Sequence, residues 1–212
     1  MSDSSIQKTL DRILDAGVIV AVRIGPGAPV LDICEALAAG GLSVLELTLT
    51  TPGALDAIAM LSTDEDLVVG AGTVLSREDV RNVAEVGGRF TFSPVFDPDV
   101  LDEAKEHGLL AVPGTSTPTE ILKAHRYGAR LVKVFPAGPL GGPAYLRVIR
   151  GPLPNIPLVP TSGPTADSLA DYVGAGAVAV GVGGVELFAE GFTVSTVKAA
   201  ARRIRQAMDA LK

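Results

Sequence analysis

Val18-Ile19-Val20-Ala21-Val22-Arg23 is an unbroken apolar run closed by a charge. A strand with one wet face alternates apolar and polar residues. An unbroken run marks a strand covered on both faces, as in a parallel sheet packed between helices. A helical pattern follows over 29–39, with Val30, Ile33, Leu37 and Ala38 at helical spacing, and Gly40-Gly41 stops it. The same unit then recurs along the chain. Further strands are expected at 44–48, 68–73, 90–93, 110–113, 131–135, 158–161 and 177–181. Helices are expected from Pro52 through Leu61, and over 77–86, 98–107, 119–127, about 143–150, 166–173, a short stretch at 185–188, and 193–211. A lead helix over 5–16 carries Ile6, Leu10, Ile13 and Leu14 on one stripe.

Strands alternating with helices predict a parallel α/β sheet, and eight such units fit a (β/α)8 TIM barrel with an N-terminal lead helix. A doubly wound open sheet is the rival. It would want a glycine-rich dinucleotide turn after the first strand, and Arg23-Ile24-Gly25-Pro26-Gly27 holds no G-x-G-x-x-G. No linker-like break divides the chain, so a single domain over residues 1–212 is expected.

Composition agrees with a packed interior: 47% of the 212 residues are hydrophobic and 20% are charged. Trp is absent and aromatics are only 4%, so the core is built of aliphatic side chains. The net charge of -6 argues against binding to nucleic acid or an anionic membrane. The basic clusters, Lys198-Arg202-Arg203-Arg205-Lys212 and Arg147-Arg150, read as solvated helix faces. Cys34 is the sole cysteine, so no internal disulfide forms. The start of the chain has no basic-then-apolar leader and no apolar run is long enough to span a bilayer, which makes a cytoplasmic protein the expectation. His107, His125 and Cys34 are too few for a metal ligand cluster, and no metal or cofactor is expected. No G-x-S-x-G hydrolase elbow is present.

Register singles out the polar residues that face inward. On the second strand Leu45, Leu47 and Leu49 share the helix-facing side, so Glu46 and Thr48 point into the interior. On the sixth, Val132 and Val134 face the helices, so Leu131, Lys133 and Phe135 point inward. Burial disfavours a lysine ammonium, and a neutral amine is a nucleophile toward a ketone. Taken alone, Lys133 reads first as a strand-end lysine with a buried stem, and Glu46 as half of a structural ion pair. Together near the catalytic end of a barrel, they are what proton-transfer chemistry needs. Around them lie Gly70-Ala71-Gly72-Thr73, small enough for close approach of a ligand, and Arg23, which suits a carboxylate or phosphate, or else a surface ion pair. Ser93-Pro94 and Pro113-Gly114 read as rigid walls. Thr161-Ser162-Gly163 and Gly181-Val182-Gly183-Gly184 precede helices where barrels hold anions.

These residues resemble a known family, the 2-keto-3-deoxy-6-phosphogluconate (KDPG) and 4-hydroxy-2-oxoglutarate aldolases. The resemblance runs from about Ile19 to Phe188, on Leu45-Glu46-Leu47-Thr48-Leu49, Val69-Gly70-Ala71-Gly72-Thr73-Val74, Ser93-Pro94, Pro113-Gly114 with Thr117, Thr119 and Glu120, Lys133-Val134-Phe135-Pro136, Gly151-Pro152 and Pro160-Thr161 with Gly163. It implies a cofactor-free class I aldolase, a homotrimeric barrel acting on a small 2-keto acid. By the same motifs Lys133 is the Schiff-base lysine and Glu46 the acid/base. Thr73 holds the pyruvyl carboxylate, Arg23 lines the site, and Pro94, Pro113 and Phe135 form its walls. Thr161, Ser162, Gly163, Gly183 and Gly184 cradle phosphate.

The chain departs from the family pattern at Thr50, where arginine is frequent, at Ser162, where glycine is common, and at Gly184 or Val185, where serine is common. Two rival functions stay open on the sequence: a phosphosugar isomerase or epimerase using Glu46 as base, and a non-catalytic barrel that binds an anion.

Overall fold

The computed structural model describes residues 2–212. Its helices are α1 (Ser2–Ala16), α2 (Val30–Ala38), α3 (Ala54–Leu61), α4 (Arg77–Glu85), α5 (Pro98–Glu106), α6 (Pro118–Arg126), α7 (Gly142–Arg150), α8 (Leu169–Gly174) and α9 (Val194–Asp209). Its strands are β1 (Val18–Val22), β2 (Val44–Thr48), β3 (Val68–Gly72), β4 (Phe90–Phe92), β5 (Leu110–Val112), β6 (Gly114–Thr115), β7 (Val132–Val134), β8 (Leu158–Pro160) and β9 (Val180–Gly183). The short segment expected at 185–188 is a single 3₁₀ turn, Gly184–Glu186.

All pairings are parallel, in the orders β5-β4-β3-β2-β1-β9 and β6-β7-β8. The fifth expected strand is thus split at Pro113. Proline has no N–H to give a ladder, so β5 pairs with β4 while β6 turns to β7. At the other seam, isolated bridges Leu158–Ala177 and Thr161–Gly181 join β8 and the residue after it to the segment entering β9 and to β9 itself. The expected barrel is seen here as a curled parallel α/β sheet, with its ladder interrupted at these two seams.

The curl gives two apolar layers. Ile19, Val44, Val68, Phe90, Leu110, Leu131, Val159 and Ala179 form one cluster on the concave face, joined by Ile6 and Ile13 of α1. The stripe on α1 therefore closes one end of the interior. Leu14, read onto that stripe, is instead 39% exposed, and Leu10 is only partly buried. The second cluster lies between sheet and helices and contains Leu45, Leu47, Val132, Val134 and the fully buried Cys34. Burial pushes the Cys34 thiol up to about 12, which keeps it protonated and unreactive.

Two basic residues read as solvated are tied down. Arg150 donates to the carbonyls of Pro154, Ile156 and Gly176, and Arg205 Nη1 donates to Ala16 O at 2.7 Å. Both hold helices to neighbouring loops. Helix starts are also anchored: Thr117 and Glu120 make a capping box on α6, with Glu120 Oε2 accepting from Ser116 N at 2.7 Å and Thr117 N at 2.9 Å. That part of the family-like motif is explained by helix capping.

Between α4 and α5, Glu103 accepts from Arg81 Nε (2.7 Å) and Arg77 Nη1 (3.1 Å) and meets His107 Nε2 at 3.2 Å. These partners, Arg81 foremost, bring its carboxyl down to about 2. A carboxyl with a folded pKa below its unfolded value stabilises the protein above the unfolded value and loses that contribution as pH falls through the folded one. Glu103→Gln is therefore expected to lower Tm at pH 7. Its deficit should shrink as pH drops from the ordinary carboxylate range toward about 2. Thermal melts across that window check this; a deficit unchanged with pH would remove the ionised carboxylate as the cause.

Candidate active site

The concave cluster fixes what stands above it. Successive residues alternate faces, so Glu46 lies one inward step beyond Val44, Lys133 beyond Leu131, and Phe92 beyond Phe90. Both ionisable groups are buried: Glu46 is 2% exposed and Lys133 7%. The expected inward register holds on both strands.

Lys133 is held by the segment that carries β6. Its N–H donates to Pro113 O at 2.9 Å, and its carbonyl accepts from Thr115 Oγ1 at 2.8 Å. The Nζ stands 4.9 Å from the Phe135 ring centroid and 5.6 Å from that of Phe92. Among the described residues it makes no ion pair with a carboxylate. Ring faces supply a modest attraction for a cation, and the amine has no directly paired carboxylate among the described residues. This favours the nucleophile reading over the structural ion pair.

Glu46 is under opposed influences. Burial pushes its carboxyl up, and the positive charges of Lys133 and Arg23 pull it down; burial prevails. Its Oε2 is buried with no hydrogen-bond partner among the described residues. An unpaired buried carboxyl oxygen is costly, and such sites call for a functional explanation. Space for this side chain comes from Gly72, where a Cβ would stand 2.0 Å from Glu46 Oε1. Residue 72 must be glycine while Glu46 keeps this position.

Phe135 and Pro94 are half-buried and Pro113 is buried. A Cβ at Gly114 would fall 2.3 Å from the Pro94 carbonyl carbon, so the two turns read as walls press against each other. Thr48 Oγ1 is within 3.2 Å of Val22 O and 3.1 Å of the Thr50 and Thr51 hydroxyls. Arg23 donates from Nη1 to Thr50 Oγ1 at 2.6 Å and from Nη2 to Thr73 Oγ1 at 2.8 Å. Among the described residues Arg23 makes no ion pair with a carboxylate.

Thr73 and Ser162 both adopt left-handed backbone, at φ 60° and 61°. A β-branched residue there is strained and persists only where its surroundings enforce it. Both stand among the expected substrate contacts. Thr161 Oγ1 is buried with no partner among the described residues. Beyond it, Ser162, Gly163 and Gly184 are exposed and Gly183 is half-buried. One nearby helix start is already in use: Glu186 Oε1 accepts from Ala166 N at 3.1 Å. An anion here would therefore rely on the loop amides at 162–163 and 183–184.

Sequence reasoning passed over Phe92 and Thr51 as site residues. Phe92 could have been found, since it shares the face of Phe90. Thr51 carries no motif of its own. Among the described residues, no three His, Cys, Asp or Glu side chains gather where a metal ion could be held.

With this geometry in hand, comparison with known proteins is specific. The family model for KDPG and KHG aldolase matches residues 10–199. A 2-dehydro-3-deoxy-phosphogluconate aldolase of Pseudomonas aeruginosa is 38% identical over 160 residues, covering 75% of this chain and 73% of the relative. The KHG/KDPG aldolase of Escherichia coli is 36% identical over 157 residues, covering 74% and 72%. The solved KDPG aldolase of Legionella pneumophila, with pyruvate captured as a covalent carbinolamine intermediate, superposes with a TM-score of 0.78 at 29% identity, covering 94% of this chain and 96% of that one.

Proposed function

The chain belongs to the KDPG and KHG aldolase family, and from that premise we propose that it is a class I aldolase cleaving a 2-keto-4-hydroxy acid through an imine at Lys133. The single observation that carries this reading is a buried lysine that forms no ion pair with a carboxylate among the described residues, sharing one interior with a buried carboxyl whose Oε2 has no hydrogen-bond partner among them. The relatives above are aldolases by name, which sets aside the isomerase and the non-catalytic barrel.

In this mechanism the Lys133 amine adds to the C2 ketone and water leaves, giving a protonated imine. That cation accepts the electron pair of the C3–C4 bond as it breaks. Glu46 takes the C4 hydroxyl proton, directly or through one water, so C4 leaves as an aldehyde. The same carboxyl returns a proton to C3 of the enamine, and hydrolysis releases pyruvate and frees Lys133. The aldehyde is glyceraldehyde 3-phosphate from KDPG or glyoxylate from 4-hydroxy-2-oxoglutarate. Arg23 and Thr73 face the carboxylate, with Thr48, Pro94, Pro113 and Phe135 around the chain of the substrate. A phosphate rests on Thr161, Ser162, Gly163, Gly183 and Gly184. The closed (β/α)8 barrel, the single domain over 1–212, the homotrimer and the cytoplasmic setting belong to the same proposal. The family resemblance supports them. No helix among the described residues is long and apolar enough to cross a membrane.

Borohydride with pyruvate tests the mechanism. Reduction of the imine should leave a stable added mass on the peptide containing Lys133. Active enzyme with Lys133 unmodified after that treatment would sink it.

A further inference from the structure

The end of β2 is tied to the end of β1 by hydroxyl groups placed on both sides of Arg23. Thr51 Oγ1 accepts from Ile24 N at 3.3 Å and donates to Val22 O at 3.2 Å, so it grips the backbone before and after Arg23. Thr48 Oγ1 lies 3.1 Å from both Thr50 Oγ1 and Thr51 Oγ1 and donates to Val22 O. Thr50 then takes the guanidinium at 2.6 Å, while Thr73, with its left-handed backbone, takes the other arm at 2.8 Å. Arg23 is an exposed side chain that would otherwise sample many rotamers. Here its fork is spread between two strands.

We propose that Thr50 is a positioning residue: it holds the Arg23 guanidinium beside Thr73, so that the free N–H groups of the fork meet the carboxylate of the 2-keto acid. This rests on the aldolase reading and adds a specificity element to it. An arginine has more donors than the two hydroxyls use, and a planar fork held in place suits a carboxylate. The positive charge reaches the strand-two position from strand one. Thr50, which on the sequence alone is a departure from the family pattern, supplies the bracket for it.

Thr50→Val keeps the shape of the side chain and removes the hydroxyl. It should raise KM for the 2-keto acid, and the pyruvate concentration giving half-maximal borohydride labelling, by roughly tenfold, the scale of a hydrogen bond to a charged group. With the carboxylate held alike in ground and transition states, kcat should stay within about threefold. Thr50→Ser should restore the wild-type KM. In an Arg23→Lys background, Thr50→Val should have almost no further effect, because the fork it positions is gone. A KM within about twofold of wild type for Thr50→Val, or an undiminished effect in the Arg23→Lys background, overturns the proposal. Since labelling is read at Lys133, wild-type protein that fails to label overturns the aldolase reading beneath it. Normal labelling with an indifferent Thr50 overturns this inference alone.

Discussion

Replacing Lys133 by methionine is expected to abolish lyase turnover and borohydride labelling together while leaving the protein folded. Methionine fills much the same volume and suits a pocket lined by Phe92 and Phe135. Lys133 is almost wholly buried and makes no ion pair among the described residues, so its removal leaves no stranded counter-charge except the raised Glu46 carboxyl. That carboxyl loses one of the two charges pulling it down, and so stays protonated to higher pH. Lys133→Arg is the complementary variant. It keeps a cation in place but offers no amine that can lose its proton, so it too should be inactive. The checks are pyruvate release in a coupled assay, the mass of the labelled peptide, and Tm. Turnover surviving in either variant would show that the positive charge, or another group, does the chemistry.

The inward register is legible because apolar residues on the helix side leave a polar residue on the other conspicuous. Leu45 and Leu47 expose Glu46 in this way, as Val132 and Val134 expose Lys133. The split at Pro113 escapes the strand pattern, although a proline in a central strand is a standing objection to a continuous ladder. Thr73 reads as a hydroxyl at a strand end, but nothing local announces its left-handed backbone; β-branching argues the other way. The links from Arg23 to Thr50 and Thr73 bridge residues 27 and 50 positions apart and depend on rotamers set by tertiary packing. The same holds for Glu103, which looks like any exposed helix acid until α4 brings Arg77 and Arg81 to it. What periodicity encodes is readable; what side chains from separate strands or helices build together is not.

Glu46→Gln should separate imine formation from carbon–carbon cleavage. Gln is nearly isosteric and fits the space left by Gly72, so pyruvate should still label Lys133. It cannot take the C4 hydroxyl proton, and turnover should fall by roughly a hundredfold or more, the usual scale for loss of a general base. The limb of the pH–rate profile that Glu46 contributes, displaced above the ordinary carboxylate range by burial, should vanish with it. Stability should move the opposite way. A carboxyl whose folded pKa lies above its unfolded value binds a proton more readily in the folded state, so folding loses stability as pH rises from the unfolded value to the folded one. The neutral amide of the variant carries no such penalty. Glu46→Gln should therefore melt above the wild type at pH 7, and the gap should close as pH falls below the ordinary carboxylate range. A group retained for packing would lose stability on substitution and keep the rate. A group retained for proton transfer, at a cost in folding, loses the rate and gains stability. Unchanged turnover would remove Glu46 from the mechanism, and a Tm below wild type at neutral pH would show that its ionised form is held by contacts stronger than the burial that opposes it.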